Sequence, residues 1–332
     1  MRKWLVVAAL ALLAAFAFVW FRMGAEPAPV QVTLEPGPPQ PRVTPQEAGI
    51  DPRAIEAAVQ YAGERNTRAL LIGHGGHVVF EKYWGGTTAD TPVRISGFTP
   101  TLAALLVGTA MNDRVVRDLD APVSALAKSL AADPRAEFSW RQLLAQHDGE
   151  TAADANTLAR ALEDALGGSY EQLVAARLWR MLGAGSFSMG RAEVNGALQV
   201  RADCCFTARV ADWMRVAELL AHDGIFEGNQ FTPPGYVQMM FSSARKDAPH
   251  GFFTRVDGKF AARDVGWLEA EGKTRLWIVP SLRLTILRVG DEPPASFGFD
   301  EAMIPDTIIR GTAGWQPARA NEGIDPKNFA PH

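Results

Sequence analysis

Val93-Arg94-Ile95-Ser96-Gly97-Phe98-Thr99-Pro100-Thr101-Leu102-Ala103-Ala104-Leu105-Leu106-Val107-Gly108 is the stretch whose register decides how this chain is read. Thr99 is of a type that caps helices, and Pro100 suits a first helical turn, where its missing N–H has no intrahelical partner to lose. The apolar run 102–107 carries the helix onward. Ser96, just before this start, reads as a loop serine making local hydrogen bonds.

Outward from this helix, strand patterns lie towards both ends of the chain and helical patterns between them. Residues 68–84 predict a hairpin: Ala69-Leu70-Leu71-Ile72 and Val78-Val79-Phe80 are strand-like, and Gly73-His74-Gly75-Gly76 supplies the turn. A second hairpin is expected from 274–279 through Pro280-Ser281 to 284–289, with a neighbouring strand in 260–268. Ser139 can cap a helix holding Trp140, Leu143 and Leu144. Further helices are expected over 157–166, 170–182 and 207–222. The last has Val210, Trp213, Met214 and Ala217 on one face and Gly224 as its stop. The pattern predicts an α+β fold: an antiparallel sheet layer from 46–96 and 250–315, flanked by helices, with a helical part at 97–249.

The 332 residues are 47% hydrophobic and 21% charged, which excludes a disordered chain. A net charge of −4 lacks the basic footprint of a nucleic-acid binder. Arg2 and Lys3 precede an unbroken apolar run of 18 residues, 4–21. As a helix it would be roughly 27 Å long, close to a bilayer core. It is longer than the apolar region of a cleavable signal, and Met23-Gly24-Ala25 is a poor cleavage site. Residues 1–24 are therefore expected to be a single membrane anchor, with the globular part on the exported, periplasmic or extracellular side. Residues 25–45 carry seven prolines and predict a semi-rigid spacer, and 316–332 form a C-terminal tail. Adjacent Cys204 and Cys205 could pair only through a strained ring, so two partly buried thiols are expected. No Cys/His grouping has zinc-like spacing, since His74 and His77 merely flank a turn, and neither metal nor cofactor is expected.

Several segments occur in an order that resembles the serine β-lactamase and penicillin-binding-protein superfamily, in particular its class C β-lactamase, esterase and 6-aminohexanoate-dimer hydrolase branch. They include Val79-Phe80-Glu81-Lys82-Tyr83-Trp84, Thr101 to Gly108, Leu119-Asp120-Ala121-Pro122-Val123, Trp140-Arg141-Gln142-Leu143-Leu144, Leu178-Trp179-Arg180-Met181-Leu182-Gly183, Thr207 to Trp213, and Leu276 to Leu282. The resemblance spans most of 45–315. It implies a β-lactamase/transpeptidase-like fold with a helical subdomain and an active site between the two parts.

The resemblance also implies a Ser-x-x-Lys motif at the start of the first long helix, where the serine attacks and the lysine handles its proton. Here those positions hold Gly97 and Pro100. Ser96 lies one residue early, about 100° around a helix, with no lysine three residues on. The Tyr-x-Asn motif falls near 150–152, where neither residue is present. The Lys-Thr-Gly or His-x-Gly strand falls near Ala270-Glu271-Gly272, keeping the glycine and losing the cation. Lys273 reads as a hairpin-edge lysine.

The degenerate positions are thus Gly97, Pro100, Ala270 and Gly272, and no catalytic residue is assigned. The expectation is a catalytically silent homologue that binds a peptide, a cell-wall fragment or a protein partner. One alternative is an amide or ester hydrolase rewired around Ser96, His147, Asp148, Glu150, Glu269 or Glu271, since paired carboxylates can do acid–base work. The other is an envelope scaffold whose cleft is filled by side chains.

Overall fold

A computed structural model of the chain describes residues 26–146, 149–242, 250–256 and 259–317. The expected anchor and nearly all of the expected tail lie outside the described residues. Among the described residues no helix is long and apolar enough to cross a membrane.

Five strands build the main sheet: β1 (Thr67–His74), β2 (His77–Tyr83), β3 (Gly266–Ala270), β4 (Thr274–Val279) and β5 (Leu284–Gly290). Their spatial order is β3-β4-β5-β1-β2, antiparallel throughout. The two hairpins legible in the sequence are therefore joined along β5–β1, where Ile286 lies opposite Ile72. The β1–β2 turn at Gly75-Gly76 and the β4–β5 turn at 280–283 share one end of the sheet. The β3–β4 turn at 271–273 lies at the other end. The strand expected within 260–268 is β3, which begins only at Gly266.

Eight helices surround this sheet among the described residues: α1 (Pro52–Gly63), α2 (Thr99–Asn112), α3 (Trp140–Leu144), α4 (Thr151–Leu166), α5 (Tyr170–Val174), α6 (Val210–Ala221), α7 (Tyr236–Met240) and α8 (Met303–Arg310). Alternation along the strands sends side chains to two faces. Leu70, Ile72, Trp277 and Ile286 pack with Ile55 of α1 and Ile304 and Ile308 of α8. Leu71, Leu276, Ile278 and Leu287 belong to the larger core shared with α2 and α6. Residues 102–107 of α2 are completely buried, as their unbroken apolar run demands. Ser139 caps α3 reciprocally: its Oγ accepts from Gln142 N–H at 3.1 Å, and the Gln142 side chain accepts from Ser139 N–H at 2.8 Å.

Several expectations need correction. The helix expected over 207–222 starts at Val210, because Thr207–Arg209 is a strand paired with Pro92–Arg94. The helix expected over 170–182 is α5 followed by a wider π-type turn, Ala175–Trp179. That turn sets Trp179 among Phe206, Trp213 and Phe187, with ring centroids 4.7, 5.7 and 5.8 Å away.

The proline-rich stretch is docked on the domain instead of extending away as a spacer. Val30–Val32 pairs with Phe187–Met189 in a second, four-stranded sheet with Thr207–Arg209 and Pro92–Arg94. Leu34 N–H donates to Ser186 Oγ at 3.1 Å, and Gly37 N–H donates to Gly183 O at 2.9 Å. Prolines lack an N–H but keep their carbonyls. Pro41 O accepts from Val78 N–H at 2.8 Å, and Pro38 O accepts from Arg215.

Cys204 and Cys205 are joined to each other in a disulfide and are not the two thiols expected. Cys205 adopts a positive φ of 71° within this pair.

Candidate functional site

The resemblance places the reacting centre where α2 meets β3. A single 3-10 turn, Ser96–Phe98, leads into α2, so Thr99 is already helical and does not cap it. Thr99 Oγ1 instead donates to Ile95 O at 3.4 Å and accepts from Phe206 N–H at 3.3 Å. Pro100 is buried in the first turn of α2, where a missing N–H costs nothing. Thr101 Oγ1 donates to Phe253 O at 3.0 Å, tying the helix start to the segment before β3.

Gly97 marks the closest approach. A Cβ added there would lie 2.1 Å from Glu269 O and 2.8 Å from Ala270 Cα. Both are backbone atoms of β3, so no rotamer change relieves the overlap. The direction in which a serine side chain would leave residue 97 is filled by the neighbouring strand.

Ser96 is partly exposed, and its N–H donates to Glu271 Oε1 at 3.2 Å, in keeping with a loop serine making local bonds. Glu269 is paired with Arg255 Nη1 at 3.0 Å and Arg275 Nη2 at 3.8 Å. Arg275 is buried on β4. It also makes two 2.8 Å bonds to the Glu301 carboxylate and donates to Ala270 O and Thr274 O at 3.0 and 2.9 Å. Trp267 on β3 stacks with this network, its ring centroid 5.2 Å from the guanidinium carbons of both Arg255 and Arg275.

Ala270 ends β3, and Gly272 lies in the β3–β4 turn. A buried arginine pins that turn: Arg288 donates to Gly272 O at 2.9 Å, Lys273 O at 2.6 Å and Thr67 Oγ1 at 2.9 Å. Burial, helped by Arg275, pushes the Arg288 guanidinium down to about 10. Lys273 sits 3.8 Å from Glu301 Oε1, an edge lysine as expected.

The structure thus brings Ser96, Gly97, Glu269, Ala270 and Glu271 together. Glu150 is exposed, with its ionic partner Arg135 at 3.9 Å. Arg135 lines a second cavity of about 400 Å³ with Asp133, Asn156, Arg160, Arg201 and Asp203. His147 and Asp148 lie outside the described residues. Among the described residues no cluster of three His, Cys, Asp or Glu side chains could hold a metal ion. The sequence reading missed Arg255, Arg275, Arg288 and Glu301. Arg275 and Arg288 are cations inside otherwise apolar strands, which is the signal that could have found them.

No family model matches the chain, and no curated protein matches it in sequence. Solved structures do match. The protein described as a 6-aminohexanoate-dimer hydrolase from Bacillus anthracis is 14% identical and has a TM-score of 0.65, covering 85% of this chain and 90% of its own. A family VIII carboxylesterase is 13% identical with a TM-score of 0.63, covering 78% of this chain and 96% of its own. A penicillin-binding protein homologue from Caulobacter crescentus is 12% identical with a TM-score of 0.59, over 78% of this chain and 96% of its own. The chain therefore has the fold of the serine β-lactamase and penicillin-binding-protein-like hydrolases.

Proposed function

We propose that this chain is a catalytically silent form of that hydrolase fold, held at a membrane by residues 1–24 with its domain on the exported side, and that it acts by binding instead of turnover. The observation that carries this reading is the contact of Gly97 with β3. A missing nucleophile could be replaced from nearby, but here the space it would use holds the backbone of Glu269 and Ala270.

The nearest groups support the same reading. Pro100 offers no proton acceptor, and Glu269 is bound to two arginines. Removing one member of a nucleophile–base unit already lowers rates by orders of magnitude. Ligand recognition at this end therefore falls to the rim around Ser96 and Glu271, a surface suited to a peptide, a cell-wall fragment or a protein partner. The close approach at Gly97 equally favours a scaffold role with a filled cleft over a rewired hydrolase.

Two measurements test the proposal. The full chain in detergent should hydrolyse nitrocefin and p-nitrophenyl butyrate no faster than buffer containing heat-denatured protein. Saturable turnover by the native chain would refute catalytic silence. Carbonate extraction should leave the full chain in the membrane pellet, and release to the supernatant would refute the anchor.

A further inference from the structure

A cavity of about 820 Å³ opens at the end of the sheet opposite Gly97. Gly97 abuts the Ala270 end of β3, whereas this cavity is lined by Gly76, Pro280 and Arg283 from the two turns at the other end. Its walls are largely apolar, with Leu220, Ile225, Phe226, Val237 and Phe241 among them, and the docked proline strap adds Pro41. Ile225 is 41% exposed although it is a large apolar side chain. Apolar walls with a few convergent polar groups, in this size range, characterise small-molecule sites.

One polar group is buried by construction. Glu218 projects from α6 and is only 2% exposed. Its Oε1 accepts from Thr285 Oγ1 and its Oε2 from Gly76 N–H, each at 3.0 Å. A Cβ on Gly73 would come within 2.5 Å of both Glu218 Oε1 and Thr285 Oγ1, so the strand is cut back to glycine where the carboxylate lies. A carboxylate offers about four lone-pair directions, and these two bonds leave two unfilled.

The charges around the cavity are unbalanced. Glu218, Asp223 and Glu227 are acidic, against Arg283 and His222. His222 Nδ1 lies 2.9 Å from Glu218 O, the carbonyl one turn back, and 3.4 Å from Glu218 Oε2. Asp223 Oδ2 accepts from Gly235 N–H at 2.8 Å, while its buried Oδ1 has no hydrogen-bond partner. A buried carboxylate in apolar surroundings is costly unless a cation or further donors meet it. Apolar walls, an acidic excess and unfilled acceptor directions call for a ligand with an apolar body and a cationic, hydrogen-donating head.

We propose that this cavity binds an organic primary amine with an apolar body, its ammonium group paired with the Glu218 carboxylate. An ammonium brings three donors, enough to serve the free directions on Glu218. The proposal is independent of whether the Gly97 end performs chemistry.

The test is calorimetric titration of the full chain in detergent, at pH 7.5, with n-octylamine, octanoate and 1-octanol, each corrected by a detergent blank. Octylamine should bind at one equivalent and about tenfold or more tighter than either analogue. Glu218→Gln should weaken octylamine by a similar factor. Ile225→Arg, at an exposed position, should weaken it too and serves if Glu218→Gln does not fold. Absence of octylamine binding, equal binding of octanoate or octanol, or binding unaffected by both cavity variants would overturn the proposal.

Discussion

A side-chain carbon on Gly97 and the carbonyl oxygen of Glu269 would have to occupy positions 2.1 Å apart, and this contact closes the start of α2 against β3. Gly97→Ala should therefore destabilise the fold by overpacking, by about 1–3 kcal/mol. Urea unfolding checks this through a lowered midpoint at unchanged slope. Gly97→Ser combined with Pro100→Lys should lose at least as much stability and hydrolyse no nitrocefin. Robust hydrolysis by that pair would show that β3 yields easily.

Arg288 should be among the least replaceable residues of the sheet. Arg288→Met fills similar volume but strips donors from the half-buried Gly272 O and Lys273 O and from the buried Thr67 Oγ1. Leaving buried acceptors unpaired costs about 1–3 kcal/mol each where water cannot reach them. A loss of about 3 kcal/mol or more in urea unfolding is expected. A loss under about 0.5 kcal/mol, the scale of ordinary surface substitutions, would show that the β3–β4 turn does not depend on this side chain.

Glu218 makes stability depend on pH in a stated direction. Burial raises its carboxyl from the ordinary 4.5 to about 7 in the folded chain. Below 4.5 both folded and unfolded chains hold the proton, and the native stability is fully present. Between 4.5 and 7 the unfolded chain ionises first, so stability falls by about 3 kcal/mol and is constant above that range. Glu218→Gln removes this dependence. His222, His74, His77 and Arg283 stand near and are the same in both proteins, so the difference between the two curves reports on Glu218. Parallel curves from pH 4 to 8 would contradict this assignment.

The parts of the fold legible in the sequence are those whose signal is local. Unbroken apolar runs mark Leu70 to Ile72 and Leu276 to Ile278, the Gly75-Gly76 turn closes its hairpin, and the Ser139–Gln142 cap announces α3. The three-residue strands Val30–Val32 and Thr207–Arg209 escaped because they are too short for any period, and their partners lie far away in sequence. The loss of Ser-x-x-Lys was readable at Gly97 and Pro100, but the reason a serine does not fit is a contact 172 residues away, between Gly97 and Glu269. Glu218 was hidden because one carboxylate on an apolar helix face gives no sign of whether it points to water or to the core.

The cysteine pair offers a chemical check. With Cys204 and Cys205 joined, the unreduced, denatured chain should take up no iodoacetamide, and the reduced chain should take up two equivalents. Uptake of two equivalents without reductant would return both residues to free thiols.

Intact-mass analysis of the full chain after exposure to a fluorescent penicillin and to a fluorophosphonate tests catalytic silence most directly. The expected spectrum is the unmodified mass with either reagent. A stoichiometric adduct that maps to Ser96 and vanishes in Ser96→Ala would contradict it, because it would place a working nucleophile beside the space that β3 fills.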